Sequence, residues 1–157
     1  MQDGRGAAVD PARAQAVALT AVDATRQARR IATGCGELDR VLGGGLVAGS
    51  AILLGGDPGI GKSTLALQLA GGVAAAKRGV LYVAGEEAPA QVRLRAERLA
   101  LDGQRILVLA ATDIPSIGAA IKRHTPAVVI VDSVQTVYTP RVESAPGSVA
   151  QLRESSA

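Results

Sequence analysis

The chain has 157 residues, 48% of them hydrophobic and 20% charged, which fits one globular domain and excludes a wholly disordered chain. Aromatic residues make up only 1%, so the core must consist of Ala, Val, Leu and Ile. A single cysteine excludes an internal disulfide framework and a four-cysteine zinc site, and no zinc is expected. The net charge of +3 permits a nucleic-acid partner without arguing strongly for one.

The N-terminal sequence has no apolar signal-peptide core, and no apolar run approaches the roughly 20 residues that span a bilayer. A cytoplasmic protein without a membrane partner is therefore expected. Residues 1–30 are rich in Ala, Arg and Gln and predict an irregular arm, with a helix over 11–30 as the alternative.

Strands and helices alternate from residue 31 onward. The apolar run Ser50–Gly55 predicts a buried strand, and apolar spacing over 62–77 predicts a helix. Three further strands are predicted at 80–84, 105–110 and 127–131, and two further helices at 89–101 and 113–124. Another helix is expected to start at residue 148. This order predicts an α/β fold, with a parallel sheet that helices cover on both faces.

A phosphate-binding loop is the strongest motif in the sequence. It consists of Gly56-Asp57-Pro58-Gly59-Ile60-Gly61-Lys62-Ser63, followed by Thr64. The glycines let backbone N–H groups point inward around an anion, and the helix that follows adds its positive amino end. Lys62 is expected to reach the terminal phosphates of a nucleotide, and the Ser63 hydroxyl to hold Mg²⁺.

Carboxylates follow two of the predicted strands. Asp132 ends the apolar run 128–131, where parallel sheets bind ligands, and it predicts a second Mg²⁺ contact. Glu86 and Glu87 follow the strand at 80–84, and either is placed to polarise a water for attack on the γ-phosphate. Glu86 is preferred. The alternative for both is a solvated pair at the start of a helix.

Several segments together resemble the RadA (Sms) family of bacterial DNA repair ATPases. They are Thr33–Val47, the phosphate-binding loop, Tyr82–Glu87, Asp132–Thr136 and Glu143–Glu154. The resemblance covers about residues 30–154. It implies a RecA-like ATPase that uses ATP and Mg²⁺, acts on single-stranded or branched DNA with the RecA recombinase, and assembles as a homohexamer.

The resemblance also implies roles for single residues. Glu86 matches the catalytic glutamate, and Gln135 lies where such ATPases sense the γ-phosphate. Arg93 falls near the adenine position, although Arg93, Arg95 and Arg98 otherwise suggest a solvated helix face. Arg141 is the basic residue of the segment that matches the first DNA-binding loop.

Residues 31–157 are expected to form only part of the RecA-like domain. The family's zinc finger, its Lys-Asn-Arg-Phe-Gly motif and its Lon-like domain have no counterpart here. The resemblance places a further strand between Ser50–Gly55 and 127–132, and that strand would come after Ala157. Two other functions stay open: another RecA-like ATPase, helicase-like or clock-protein-like, and a nucleotide-binding module without turnover.

Overall fold

The structure is a computed structural model that describes residues 18–21 and 30–139. The predictions for most of the N-terminal arm, for the helix from 148 and for Arg141 lie outside these residues. Within the described ranges, no helix has the length and apolar character needed to cross a membrane.

Helices and strands alternate through the described chain. The helices are α1 (Gly36–Val41), α2 (Lys62–Ala75), α3 (Pro89–Arg98) and α4 (Ile114–His124), and Leu19–Ala21, Gly103–Arg105 and Val134–Thr136 form 3-10 turns. The strands are β1 (Arg30–Ile31), β2 (Leu46–Val47), β3 (Val80–Ala84), β4 (Ile106–Leu109) and β5 (Val128–Asp132). A proline stands in the first turn of α3. The Asp113 side chain caps α4 by accepting from the Ser116 N–H.

The central sheet has three parallel strands in the order β4-β3-β5. Val80 of β3 lies opposite Ile106 on one side and Val128 on the other, and Ala84 lies opposite Asp132. Because the pairing is parallel, the three carboxyl ends meet at one edge of the sheet and the three amino ends at the other.

Helices cover both faces of β3, as predicted. Val80, Tyr82 and Ala84 point to one face and pack in a cluster with residues of α2 and with Val92 of α3. Leu81 and Val83 point to the other face and pack with Ile117 of α4. All five residues of β3 are buried, so this strand forms the centre of the core.

The predicted strand at Ser50–Gly55 is wrong for this structure. Residues 51–57 adopt no regular structure, and the side chain of Leu53 is 84% exposed. β5 also has a neighbour on one side only within the described chain, and Val131 is 38% exposed rather than buried. An apolar run becomes a buried strand only when another strand satisfies its backbone groups, and no strand of the described residues pairs with 51–57.

A small antiparallel ladder of β1 and β2 packs beside α2. The Thr33 N–H donates to Asp39 Oδ1, and Thr33 is fully buried. A Cβ added to Gly72 of α2 would lie 1.8 Å from the carbonyl oxygen of Thr33. The helix therefore touches this segment backbone to backbone, which only glycine allows.

We expect Gly72→Ala to destabilise the fold by about 1–3 kcal/mol, because the added methyl must displace backbone. This loss should exceed the roughly 0.5–1 kcal/mol that alanine gains over glycine inside a helix. Gly118 of α4 is the matched control, since a Cβ there meets nothing within 4 Å. Gly118→Ala should stabilise, and urea unfolding of both variants measures the difference. Equal effects of the two substitutions would contradict this packing.

Candidate nucleotide-binding site

The phosphate-binding loop lies immediately before α2, as the motif predicts. Gly59 has φ +81° and Gly61 has φ +100°, backbone values that residues other than glycine rarely adopt. Gly61 is the N-cap of the helix. Residues 56–61 are all exposed, and the helix begins at Lys62. The loop thus presents its backbone and the amino end of a 14-residue helix to solvent, the arrangement that binds anions.

Lys62 folds back over this loop. Its Nζ donates to the carbonyl oxygens of Gly56 and Asp57, at 2.8 and 2.7 Å. The ammonium group therefore lies across the loop. Ser63 and Thr64, half-buried, follow in the first turn of the helix.

Asp132 lies at the carboxyl end of β5, held by a buried tyrosine. The Tyr82 hydroxyl donates to Asp132 Oδ2 at 2.6 Å, and Tyr82 is only 1% exposed. Burial, followed by the hydrogen bond to Asp132, raises the pKa of Tyr82 well above its usual range. Tyr82 is therefore a fixed donor that leaves Asp132 Oδ1 for another ligand.

Glu86 contacts Ser133, the residue that follows Asp132. The Ser133 hydroxyl donates to Glu86 Oε1 at 2.5 Å, and the Gly85 N–H donates to the Asp132 carbonyl at 2.8 Å. A Cβ on Gly85 would lie 1.9 Å from Thr136 Oγ1, so the crossing is too close for any side chain there. The Asp132–Ser133 peptide bond is cis.

Glu87 has a different environment from Glu86. It forms an ion pair with Arg95 of α3, whose side chain is only 20% exposed. The prediction that Arg95 belongs to a solvated face is therefore wrong. Because Arg95 already occupies Glu87 while Glu86 is exposed at the edge, the structure favours Glu86 for contact with a ligand.

The remaining predicted site residues are less closely connected. Gln135 is exposed on the 3-10 turn Val134–Thr136 that follows β5. Arg93 is exposed on α3 and forms an ion pair with Glu97 at 2.9 Å. Arg141 lies outside the described residues. The roles of these three stay predictions.

Helix α2 packs across β3 and β5, and the chain then enters β3 at its amino end. The amino end of α2, which carries Ser63, therefore lies at the carboxyl edge of the sheet, where Asp132 ends β5. A serine hydroxyl and a carboxylate oxygen are suitable Mg²⁺ ligands, particularly where phosphates and waters complete the shell. Within residues 18–21 and 30–139, no group of three or more His, Cys, Asp or Glu could hold a metal alone. The ligand chemistry of Ser63 and Asp132 fits a Mg²⁺ ion whose other ligands are phosphate and water oxygens.

Sequence reasoning missed three residues of this site: Tyr82, Ser133 and Arg95. Tyr82 had a signal, because it is one of only two aromatic residues and its hydroxyl needs a partner when buried. Ser133 follows a predicted metal ligand directly. The contact of Arg95 with Glu87 depends on how α3 packs, and local sequence does not show it.

A parallel sheet, a glycine-rich loop before a helix and carboxylates at the same edge define a P-loop nucleotide-binding protein of the α/β class. The chain matches the AAA domain family over residues 14–154. It therefore belongs to that family.

Named relatives agree with this assignment. The DNA repair protein RadA of Bacillus subtilis (strain 168) is 48% identical over 139 residues, which cover 88% of this chain and 30% of that protein. The protein of the same name from Halalkalibacterium halodurans is 53% identical over 131 residues, 83% of this chain and 29% of that protein. The DNA repair protein RadA of Brucella abortus (strain 2308) is 46% identical over 158 residues, which cover 97% of this chain and 34% of that protein. The chain thus spans about a third of the length of these relatives, and the resemblance to RadA is confirmed.

The two glutamates should differ in their effect on stability. We expect Glu87→Gln to lower the free energy of unfolding by about 1 kcal/mol, because it removes the charge that pairs with half-buried Arg95. Glu86→Gln should change it by less than about 0.5 kcal/mol, as exposed substitutions usually do. Urea denaturation of both variants measures this. A larger loss for Glu86→Gln would refute the pairing described for Glu87.

Proposed function

We propose that this chain is the nucleotide-binding part of a DNA-dependent ATPase of recombinational DNA repair. The proposal is supported by four groups that the parallel topology assigns to one edge of the sheet. These are the phosphate-binding loop with Lys62, Ser63 at the start of α2, Asp132 bonded to Tyr82, and Glu86 bonded to Ser133.

In this proposal the loop and the amino end of α2 bind the phosphates of ATP. Lys62 exchanges its two carbonyl partners for phosphate oxygens, a charge-assisted and therefore stronger contact. Mg²⁺ held by Ser63 and Asp132 supplies neutralisation of the phosphate charge when bound. Asp132 is oriented for this by Tyr82, which occupies Oδ2.

Glu86 acts as the general base for hydrolysis. Ser133 occupies Oε1, and Oε2 has no partner among the described residues, so it can accept a proton from water. The water oxygen then bonds to the γ-phosphorus, the bond from that phosphorus to the bridging oxygen breaks, and ADP and phosphate leave. Gln135, on the turn after β5, senses the γ-phosphate in this proposal.

The wider context follows the relatives, which are bacterial proteins named for DNA repair. We propose a cytoplasmic protein that hydrolyses ATP faster with single-stranded or branched DNA, cooperates with RecA recombinase and forms a homohexamer. Arg93 contributes to the adenine site, and Arg141 contacts the DNA backbone.

Lys62→Ala should abolish ATP binding, because it removes the cation that lies across the loop. Fluorescence titration with a methylanthraniloyl ATP analogue in Mg²⁺ measures the affinity. Arg40→Ala is the control with the same charge change, since Arg40 is exposed on α1 and pairs with Glu37. Unchanged ATP affinity in Lys62→Ala would disprove the site.

Glu86→Gln should bind MgATP as the parent does and hydrolyse it on the order of 10²- to 10⁴-fold more slowly, as loss of a general base does. Phosphate release with and without single-stranded DNA measures the rate, with Glu87→Gln as the matched variant. If the parent binds ATP but shows no hydrolysis that depends on Glu86, the chain is a nucleotide-binding module without turnover. The exposed, unpaired segment 51–57 favours that second function for these residues alone.

A further inference from the structure

Positive charge collects at the edge of the sheet opposite the nucleotide site. Six cationic side chains lie there, on the segments that lead into the amino ends of β3, β4 and β5. They are Lys77, Arg78, Arg98, Arg105, Lys122 and Arg123.

The topology brings these residues together. Each of the three large helices returns antiparallel to the strands, so α2, α3 and α4 all end at this edge. Val80, Ile106 and Val128 begin adjacent strands, and the Ala127 N–H donates to the Gly79 carbonyl at 2.9 Å across two of the connections. The turn Gly103–Arg105 also contacts α2.

The six side chains belong to exposed residues and form no ion pair with another described residue. Two acidic residues, Glu97 and Asp102, lie close in sequence to these cations. Asp102 uses its carboxylate to accept from the Gln104 N–H. Glu97 of α3 is paired with Arg93 instead. By contrast, the carboxylates of Glu86, Glu87 and Asp132 lie at the opposite edge. The described domain therefore has a cationic edge and a carboxylate edge.

We propose that this cationic edge, defined by the six residues above, binds the phosphate backbone of a nucleic acid independently of the nucleotide site. Neighbouring parallel strands lie about 4.8 Å apart, so the segments entering three strands span about 10 Å. That span covers about three phosphates of one strand, which rise about 3.4 Å each. Four of the six residues are arginines, whose planar guanidinium groups suit phosphate oxygens.

Nucleic acid fits this edge better than a membrane does. Binding at a lipid surface combines cations with apolar side chains that enter the headgroup region. The connections 76–79, 99–105 and 125–127 carry no exposed large hydrophobic residue. The contact would be independent of base sequence, because a flat edge of long cationic side chains reaches phosphates rather than base edges.

The experiment measures binding of a fluorescein-labelled 30-nucleotide single strand, and of the matching duplex, by anisotropy across a series of salt concentrations without ATP. Arg105→Gln and Arg123→Gln should each reduce the slope of log affinity against log salt by about 0.7–0.9, and together by about twice that. Arg40→Gln is the matched control, because it removes the same charge from an exposed residue of α1. Its slope should equal that of the parent.

Equal slopes for all variants would overturn the proposal. So would an equal loss in Arg40→Gln, since that would show an effect of net charge alone, or a lower melting temperature of Arg123→Gln with an unchanged slope. Tighter, Arg105-dependent binding to phosphatidylserine vesicles or to polyglutamate would overturn the choice of partner. MgATP affinity, measured separately, should stay unchanged in these variants. If the parent does not bind MgATP, the proposed function is contradicted. The salt dependence of nucleic-acid binding would still test the cationic edge.

Discussion

The parallel pairing of β3 with β5 sets the positions of the groups at the nucleotide site. Because Ala84 lies opposite Asp132, the next residues of both strands leave the sheet side by side, and Glu86 meets Ser133 there. The same register places Tyr82 beneath Asp132, on the face that α2 covers. A shift by one residue would turn Tyr82 to the opposite face and separate both pairs. Buried packing on both faces of β3 resists such a shift.

Local signals in the sequence were sufficient for most of the fold. Apolar spacing predicted the helices at 62–77, 89–101 and 113–124 to within a few residues, and the strand at Val80–Ala84 agrees residue for residue. The loop around Lys62 was recognisable because its glycines and lysine stand at fixed spacing. These features depend on neighbours in sequence, which a single chain displays.

Features that depend on distant partners were harder to predict. The run 50–55 has the composition of a buried strand, but composition cannot supply the neighbouring strand that its backbone requires. The ion pair of Arg95 with Glu87 and the approach of Thr33 to Gly72 both depend on how helices rotate and pack. Charge was equally misleading as a total, since a net charge of +3 hides the separation of cations and carboxylates between two edges.

The position of Lys62 bears on which ligands the loop can accept. Its ammonium group has two carbonyl partners within the loop, so the loop is organised around a cation. A nucleoside without phosphates offers nothing to replace these partners, and its entry would leave the lysine where it is. A triphosphate offers anionic oxygens that bind the lysine more strongly than neutral carbonyls do. In the proposed function, Lys62 therefore exchanges neutral partners for charged ones, and this exchange favours nucleotides over nucleosides.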